Sequence, residues 1–389
     1  MLATCPFCPL RCDDLVVRAE GTHLVPHEVD CPRAHAGFAG VAAESARLSS
    51  LAAWRTASVL AESIADRVAG AASLRISGTI IDITTARAAV RLAAACGGVV
   101  DAAESVSSAA MRRAIEREGV VAATLAELSQ RADSVVLLGD PSDECPRLVE
   151  RFLAPSPAPP ARVGERARRR FLSLGESRIA GLPGERYTHI EVARGDLHRL
   201  LAEARGALRV GKTDSSGIAT WLADATYSGW LWSSEALDPL AAGTLVGLST
   251  ELNRERRAVL VSLASDTTLR SVSTWLSGFS GPVDFGSGAP QLLENSTPAE
   301  LTLWLQPYPT APPPPLEDTF LIVLGMADAE LAERADVYLP AGVPGVDFAS
   351  STYRGDAAVC LPLHALLDRG LPSAAEVLGE LQLRRTDRC

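Results

Sequence analysis

An α/β protein, headed by a short cysteine-rich segment and continued by parallel-sheet domains, is the fold class that three observations predict. Four cysteines crowd into the first 31 residues. Apolar, β-branched runs such as Leu74 to Ile83 and Ser134 to Leu138 have the length and continuity of strands buried on both faces. Stretches with apolar residues at helical spacing alternate with those runs, the order of a doubly wound sheet. At 389 residues the chain exceeds the roughly 250–300 at which a single core stops growing, so more than one domain is expected.

The cysteine segment spans 1–45. Ala42 to Gly70 is alanine-rich with helical spacing, Leu74 to Ile83 reads as a buried strand, and Thr85 to Ala95 as the helix after it. Gly98–Asp101 and Val120–Ala123 are short strand candidates, and Ser108–Glu118 and Leu125–Ala132 are helical. The strand Ser134 to Asp140 runs into a loop at its carboxyl end, where open α/β sheets place ligands. These elements make a first α/β domain over 46–155. Ala154 to Arg170, rich in proline and then arginine, reads as a solvated connection. A second α/β region over 156–389 begins its ordered part near Phe171, and its end is free to return to the first. Its strands are expected at Thr188–Val192, Ala258–Leu263 and Phe320–Leu324, and its helices at Asp196–Ala204, Ile218–Ala225 and Ala242–Leu252. Gln306 to Asp318 is a further proline-rich loop, and no repeat of fixed period is present.

The formal net charge is −10, so no basic field exists to attract nucleic acid or an anionic membrane, and a small-molecule or protein partner is expected. No apolar run reaches the roughly 18 residues of a membrane span, and the N-terminus lacks the basic and apolar regions of a signal peptide. A cytoplasmic location follows as the expectation. In that reducing compartment, clustered cysteines read as metal ligands rather than disulfides.

Cys5, Cys8, Cys12 and Cys31 follow the spacing Cys-x2-Cys-x3-Cys-x18-Cys. Three thiolates so close converge readily on one centre, and the fourth closes it from a later turn, as in a [4Fe-4S] cluster. A structural zinc takes four thiolates equally well. His23, His27 and His35 lie nearby but are redundant as ligands, and Cys96, Cys145, Cys360 and Cys389 show no ligand spacing. Gly206-Ala-Leu-Arg-Val-Gly211-Lys212-Thr213 has the letters of a phosphate-binding loop, with Lys212 the sole lysine. That motif needs a strand leading in and a helix amino-terminus receiving the phosphates. Here a helix leads in, so a turn is the expected meaning and nucleotide binding a distant alternative. Asp101 to Ser108 and Ser351 to Asp356 match no generic motif and read as loops.

Together these segments resemble the B subunit of formylmethanofuran dehydrogenase, of the molybdopterin-oxidoreductase superfamily, along nearly the whole chain. The resemblance is carried by the cysteine pattern with Cys12-Asp13-Asp14 and Cys31-Pro-Arg33, and by Gly98-Val-Val-Asp101, Glu127 to Val136, Gly139-Asp-Pro141 and Pro146-Arg147. Further along it is carried by Gly247 to Asn253, Thr274 to Gly278, Val283-Asp284-Phe285, Ala335 to Pro340 and Thr352 to Asp356. It implies a cluster segment followed by Rossmann-like domains, without the C-terminal barrel of other superfamily members.

Two departures redirect the functional expectation. The redox relatives carry a metal-ligating cysteine or selenocysteine in the loop after Val-Val-Asp, then histidine and glycine; this chain reads Ser105-Val106-Ser107-Ser108-Ala109. The relatives' Arg-Gly-His segment falls near Leu260 to Asp266, where it is lost as well. Without the soft thiolate, tungsten or molybdenum has no such ligand. Ser107 is therefore read as a degenerate ligand position, with molybdopterin or tungstopterin absent and no catalytic residue in this chain. The combination resembles the B subunit of the bacterial formyltransferase/hydrolase complex, a non-redox structural subunit in tetrahydromethanopterin-linked one-carbon metabolism, which converts a formyl carrier to formate. The resemblance implies an amidohydrolase-type A subunit, a formyltransferase-type D subunit and a C subunit as partners. The alternative is a redox-active formylmethanofuran dehydrogenase B subunit with cluster and pterin.

Overall fold

The computed structural model describes residues 1–21, 23–49, 56–154, 169–294, 298–314 and 318–386. Cys389 and most of the connection from Ala154 to Arg170 lie outside the described residues, as does part of the loop from Gln306 to Asp318.

Strands β1 (Leu2–Ala3), β2 (Leu15–Glu20) and β3 (His23–His27) form a small antiparallel sheet. Helices α1 (Pro32–Ser49) and α2 (Ala57–Gly70) follow, and α2 is opened by Thr56, whose hydroxyl accepts from the Val59 amide. Strand β4 (Leu74–Gly78) is buried at every position. It is shorter than the apolar run through Ile83 because Asp82 caps α3 (Ile83–Cys96), accepting from the amides of Thr84 and Thr85. Thr79 to Asp82 make the turn instead. Strand β5 (Val99–Asp101) comes next.

The chain then builds a separate compact unit, Glu104–Ala264. It contains α4 (Val106–Glu118), α5 (Leu125–Arg131), β6 (Ser134–Leu138), β7 (Arg170–Gly175), β8 (Tyr187–Glu191), α6 (Leu197–Val210), α7 (Ile218–Ala223), β9 (Tyr227–Trp232), α8 (Pro239–Leu252) and β10 (Arg257–Leu260). The sheet is wholly parallel in the order β10-β9-β6-β7-β8. Trp230, Leu201, Leu245 and Leu138 fill its core. Val120 to Ala123 is not a strand: Ala122 makes an isolated parallel bridge to Leu260 at the sheet edge.

The last stretch carries α9 (Thr267–Ser277), β11 (Val283–Asp284), β12 (Gln291–Leu292), β13 (Leu301–Gln306), β14 (Phe320–Gly325), α10 (Ala329–Arg334), β15 (Val337–Pro340), β16 (Ser350–Tyr353), β17 (Cys360–Leu363) and α11 (Ala374–Thr386). It joins the beginning of the chain in one compact unit, Met1–Ala103 with Ser265–Cys389. The seven-stranded sheet there runs β12-β11-β5-β4-β13-β14-β15. Strands β5, β4, β13, β14 and β15 are parallel, and β11 and β12 add an antiparallel edge. The α/β class with parallel, Rossmann-like sheets is thus the observed one.

These units divide the chain at other points than the expected 46–155 and 156–389. Strand β6 pairs with β7 and β9 rather than with β4 or β5, so Ser134–Leu138 belongs to the inserted unit. The expected boundary near 155 falls inside that unit. Among the described residues, no helix is long and apolar enough to cross a membrane.

Candidate functional site

The loop between β1 and β2 presents three of the four predicted cysteines. The Cys5 amide donates to the Cys12 carbonyl at 2.8 Å and the Arg11 amide to the Cys8 carbonyl at 3.2 Å, which coils the segment on itself. Arg11 sits at φ 45, a left-handed conformation that costs a non-glycine residue energy unless its surroundings hold it. Cys31 immediately precedes α1, and its carbonyl accepts the first helical hydrogen bond, from His35. All four cysteines are buried and none is in a disulfide.

The loop is packed from two sides. Phe7 stacks edge-on against Phe38 of α1, with centroids 4.9 Å apart, and against Tyr308 at 5.3 Å. Gly37 makes the helix contact achievable, because a Cβ there would collide with the Phe7 ring. From the far end of the sequence, the Arg354 Nε donates to the Leu10 carbonyl at 3.1 Å and the Gly355 amide to the Pro9 carbonyl at 2.8 Å. Arg354 also pairs with Asp13 at 3.6 Å. The Thr352 to Asp356 segment, read from sequence as a loop, is therefore a clasp on the cysteine loop.

Electrostatically the cysteine loop is unusual. Burial pushes the Cys8 thiol up to about 11, and repulsion from Cys12 adds to it. Burial and Cys8 raise Cys5 as well. The Arg11 guanidinium is fully buried; burial lowers its pKa, and Tyr308, Cys8 and Cys5 oppose that shift. Its Nη1 donates to the Pro6 carbonyl, while its Nε is buried with no hydrogen-bond partner. Thiols are soft donors by chemistry, but chemistry alone does not make a ligand set. Among the described residues, no three His, Cys, Asp or Glu side chains are placed as ligands of a single ion.

Ser107 lies elsewhere, in the inserted unit at the first turn of α4, and is 0 % exposed. Its amide donates to the Ser234 carbonyl at 2.9 Å, and its hydroxyl accepts from the Leu237 amide at 2.8 Å. The hydroxyl is thus committed to holding the loop after β9. Glu144 grips the same loop, accepting from the amide and hydroxyl of Ser234, both at 2.9 Å. That loop forms one wall of a cleft of about 240 Å³ at the carboxyl ends of β6 to β9, the edge where parallel sheets hold ligands. Asp140, Glu176 and Glu235 face the cleft with Arg194, which is paired to Glu235 at 3.3 Å. A phosphate-bearing ligand meets net repulsion there.

The Gly206 to Thr213 segment is not a phosphate loop. Gly206 lies within α6, Gly211 is the left-handed C-cap of that helix, and the Lys212 amide donates back to the Ala207 carbonyl at 2.9 Å. A helix carboxyl end repels phosphate. The Leu260 to Asp266 segment ends in a buried carboxylate, Asp266, paired with Arg270 at 2.7 Å.

Sequence reasoning missed Arg11, Phe7 and Tyr308. The one available signal was an arginine directly before a ligand-type cysteine, which spacing rules ignore.

No family model matches the chain. It is similar to the B subunit of the formyltransferase/hydrolase complex Fhc of Methylorubrum extorquens, with 26% identity over 350 residues, covering 84% of this chain and 93% of that protein. Among solved structures it is similar to a chain of the X-ray crystal structure of the formyltransferase/hydrolase complex (FhcABCD) from Methylorubrum extorquens in complex with methylofuran. That likeness has a TM-score of 0.72 and 25% identity, covering 86% of this chain and 97% of the other. Both comparisons bear out the resemblance to the B subunit of that complex.

Proposed function

We propose that this chain is the B-type, non-redox structural subunit of a formyltransferase/hydrolase complex in tetrahydromethanopterin-linked one-carbon metabolism. Its partners are the amidohydrolase-type A subunit, the formyltransferase-type D subunit and the C subunit, and its location is the cytoplasm. The observation that carries the reading is Ser107. Where redox relatives need a metal-ligating thiolate, this chain has a fully buried hydroxyl that accepts the Leu237 amide, a hard oxygen engaged in a structural hydrogen bond. The acid-lined cleft supports the same reading, since a pterin dinucleotide carries phosphates. Catalysis then resides in the partners, and this chain supplies a folded scaffold. Cys5, Cys8, Cys12 and Cys31 would hold a [4Fe-4S] cluster or a structural zinc, which would cross-link the N-terminal loop to α1.

Purification of the complex through this chain tests the proposal. Hydrolase-type and formyltransferase-type subunits are expected to accompany it, and formyl-carrier hydrolysis is expected without viologen-dependent formate oxidation. Stoichiometric tungsten or molybdenum with bound pterin would overturn it in favour of the redox reading, which the four cysteines otherwise favour.

A further inference from the structure

We infer that the cleft at the carboxyl ends of β6 to β9 is a binding site for a small organic cation, an ammonium or amidinium group carried on an apolar body. The inference goes beyond the scaffold reading of this chain and does not depend on it. All the lining residues belong to the inserted unit, Glu104–Ala264.

The carboxylates set the sign of the ligand. Asp140 follows β6, Glu176 follows β7 and Glu235 follows β9, and all three line the cleft. Arg194, the cation among the described lining residues, is paired with Glu235 at 3.3 Å. Asp140 accepts from the Ser142 amide at 2.9 Å, and neither it nor Glu176 meets a cationic side chain among the described residues. Two carboxylates so placed attract a positive group and repel an anion. A bare metal ion is a poor occupant, since no three described His, Cys, Asp or Glu side chains are placed to ligate one ion. Negative charge spread around a rim suits a larger cation, whose N–H groups point to separate acceptors.

A buried hydroxyl marks the cleft independently of that charge. Ser233 lines it and is 8 % exposed. The Ser233 amide donates to the Leu138 carbonyl at 3.0 Å and its carbonyl accepts from the Ala236 amide at 3.3 Å, but its hydroxyl has no hydrogen-bond partner among the described residues. That hydroxyl faces Gly139, where a Cβ would collide with it; a glycine at φ 70 leaves it uncovered. A Cβ at Gly175 would stand 3.2 Å from the Gly139 Cα, so the second glycine keeps the ends of β6 and β7 open. The neighbouring hydroxyls are engaged, Ser234 with Glu144 and Ser107 with the Leu237 amide. A buried hydroxyl without a partner is costly, and a ligand N–H removes that cost. Leu174, Val192, Leu197 and Ala236 supply apolar lining for the ligand's carbon body.

The test titrates the full-length chain and the purified complex with three probes that share one apolar body: benzylammonium, benzyl alcohol and benzoate. Saturation-transfer NMR and calorimetry read the binding. Benzylammonium is expected to bind, more weakly as salt is raised, benzyl alcohol about tenfold less tightly and benzoate not at all. Ser233→Ala is expected to weaken benzylammonium about tenfold or more with an unchanged melting temperature, because the hydroxyl holds nothing in the fold. Glu176→Gln should weaken it about two- to fivefold, the range for an exposed ion pair. Equal binding of the three probes, or no binding of benzylammonium to either preparation, would overturn the inference. So would an affinity unchanged in both variants. Binding to the isolated chain but not to the complex would also overturn it, and would assign the cleft to a basic side chain of another subunit. The scaffold reading is untouched by any of these outcomes, since it is tested by the composition of the complex.

Discussion

The Nε of Arg354 donates to the carbonyl oxygen of Leu10 at 3.1 Å across 344 residues of sequence, and so ties the cysteine loop to the hairpin of β16 and β17. The arginine is 5 % exposed, and the pair is flanked by the Gly355 to Pro9 hydrogen bond. Truncation by Arg354→Ala leaves the Leu10 carbonyl and the Asp13 carboxylate without this donor. The expected cost is roughly 1.5–3 kcal/mol, the range for hydrogen bonds to a charged group. Denaturant unfolding of the purified chain measures it, and an unchanged midpoint would contradict the clasp.

Gly37 sets two effects against each other. Alanine raises helix propensity by about 1 kcal/mol, but its Cβ enters the Phe7 ring, and overpacking of a tight core costs about 1–3 kcal/mol. Because Phe7 is wedged between Phe38 and Tyr308, it has little room to retreat. Gly37→Ala is expected to destabilise by roughly 1–2 kcal/mol, visible as a lower melting temperature. A stabilised variant would show that the ring moves freely.

Ser107 distinguishes a lost ligand from a working hydrogen bond. Ser107→Ala leaves the Leu237 amide unpaired in the interior, at a cost of about 1–3 kcal/mol. Ser107→Cys restores the sulfur of the redox relatives, yet it is expected to bind no molybdenum or tungsten, since residue 107 faces Leu237. Elemental analysis of the variant complex decides the second point, and calorimetry the first.

The alkaline limit of stability should follow the buried tyrosines, Tyr308, which burial raises furthest, and two whose ionisation falls in an accessible window. Burial, then the hydrogen bond to and charge of Glu127, raise Tyr227 from 10.0 to about 12; burial raises Tyr338 to about 12 as well. Folding therefore favours the neutral phenols. Their contribution is complete below pH 10 and is lost as pH rises through about 12. Phenolate absorbance followed beside circular dichroism should show late-ionising tyrosines, with unfolding setting in across that window. Both groups ionising near pH 10 with the fold intact would contradict it.

Much of the architecture was legible because burial on both faces leaves unbroken apolar runs, as at Ser134–Leu138 and Phe320–Gly325. Strands β9 and β13 escaped notice because polar residues interrupt them. Their polarity is satisfied locally: the Trp230 Nε1 donates to the Ser228 hydroxyl at 3.1 Å, and the Trp304 Nε1 to the Gln306 Oε1 at 2.6 Å. Such pairing makes a buried polar residue affordable without marking the sequence. The ligand-type cysteines were readable from spacing alone. Ser107 was readable as a substitution but not as a clamp, because Leu237, its partner, is 130 residues distant. Lys212 shows that letters without context mislead, since Gly211 ends a helix rather than opening one.

The seven-stranded sheet places β4, from the beginning of the chain, between β5 and β13, with all of Glu104–Ala264 intervening in sequence. During synthesis the inserted unit has all its strands before β13 leaves the ribosome, so it can fold as the nascent chain grows. The cysteine loop meanwhile lacks Tyr308 and Arg354. Pairings of such high sequence separation make folding slow, and they leave four thiols open to metal capture or oxidation for most of translation. Maturation of this subunit is therefore a race between the arrival of its last hundred or so residues and the chemistry of its first thirty.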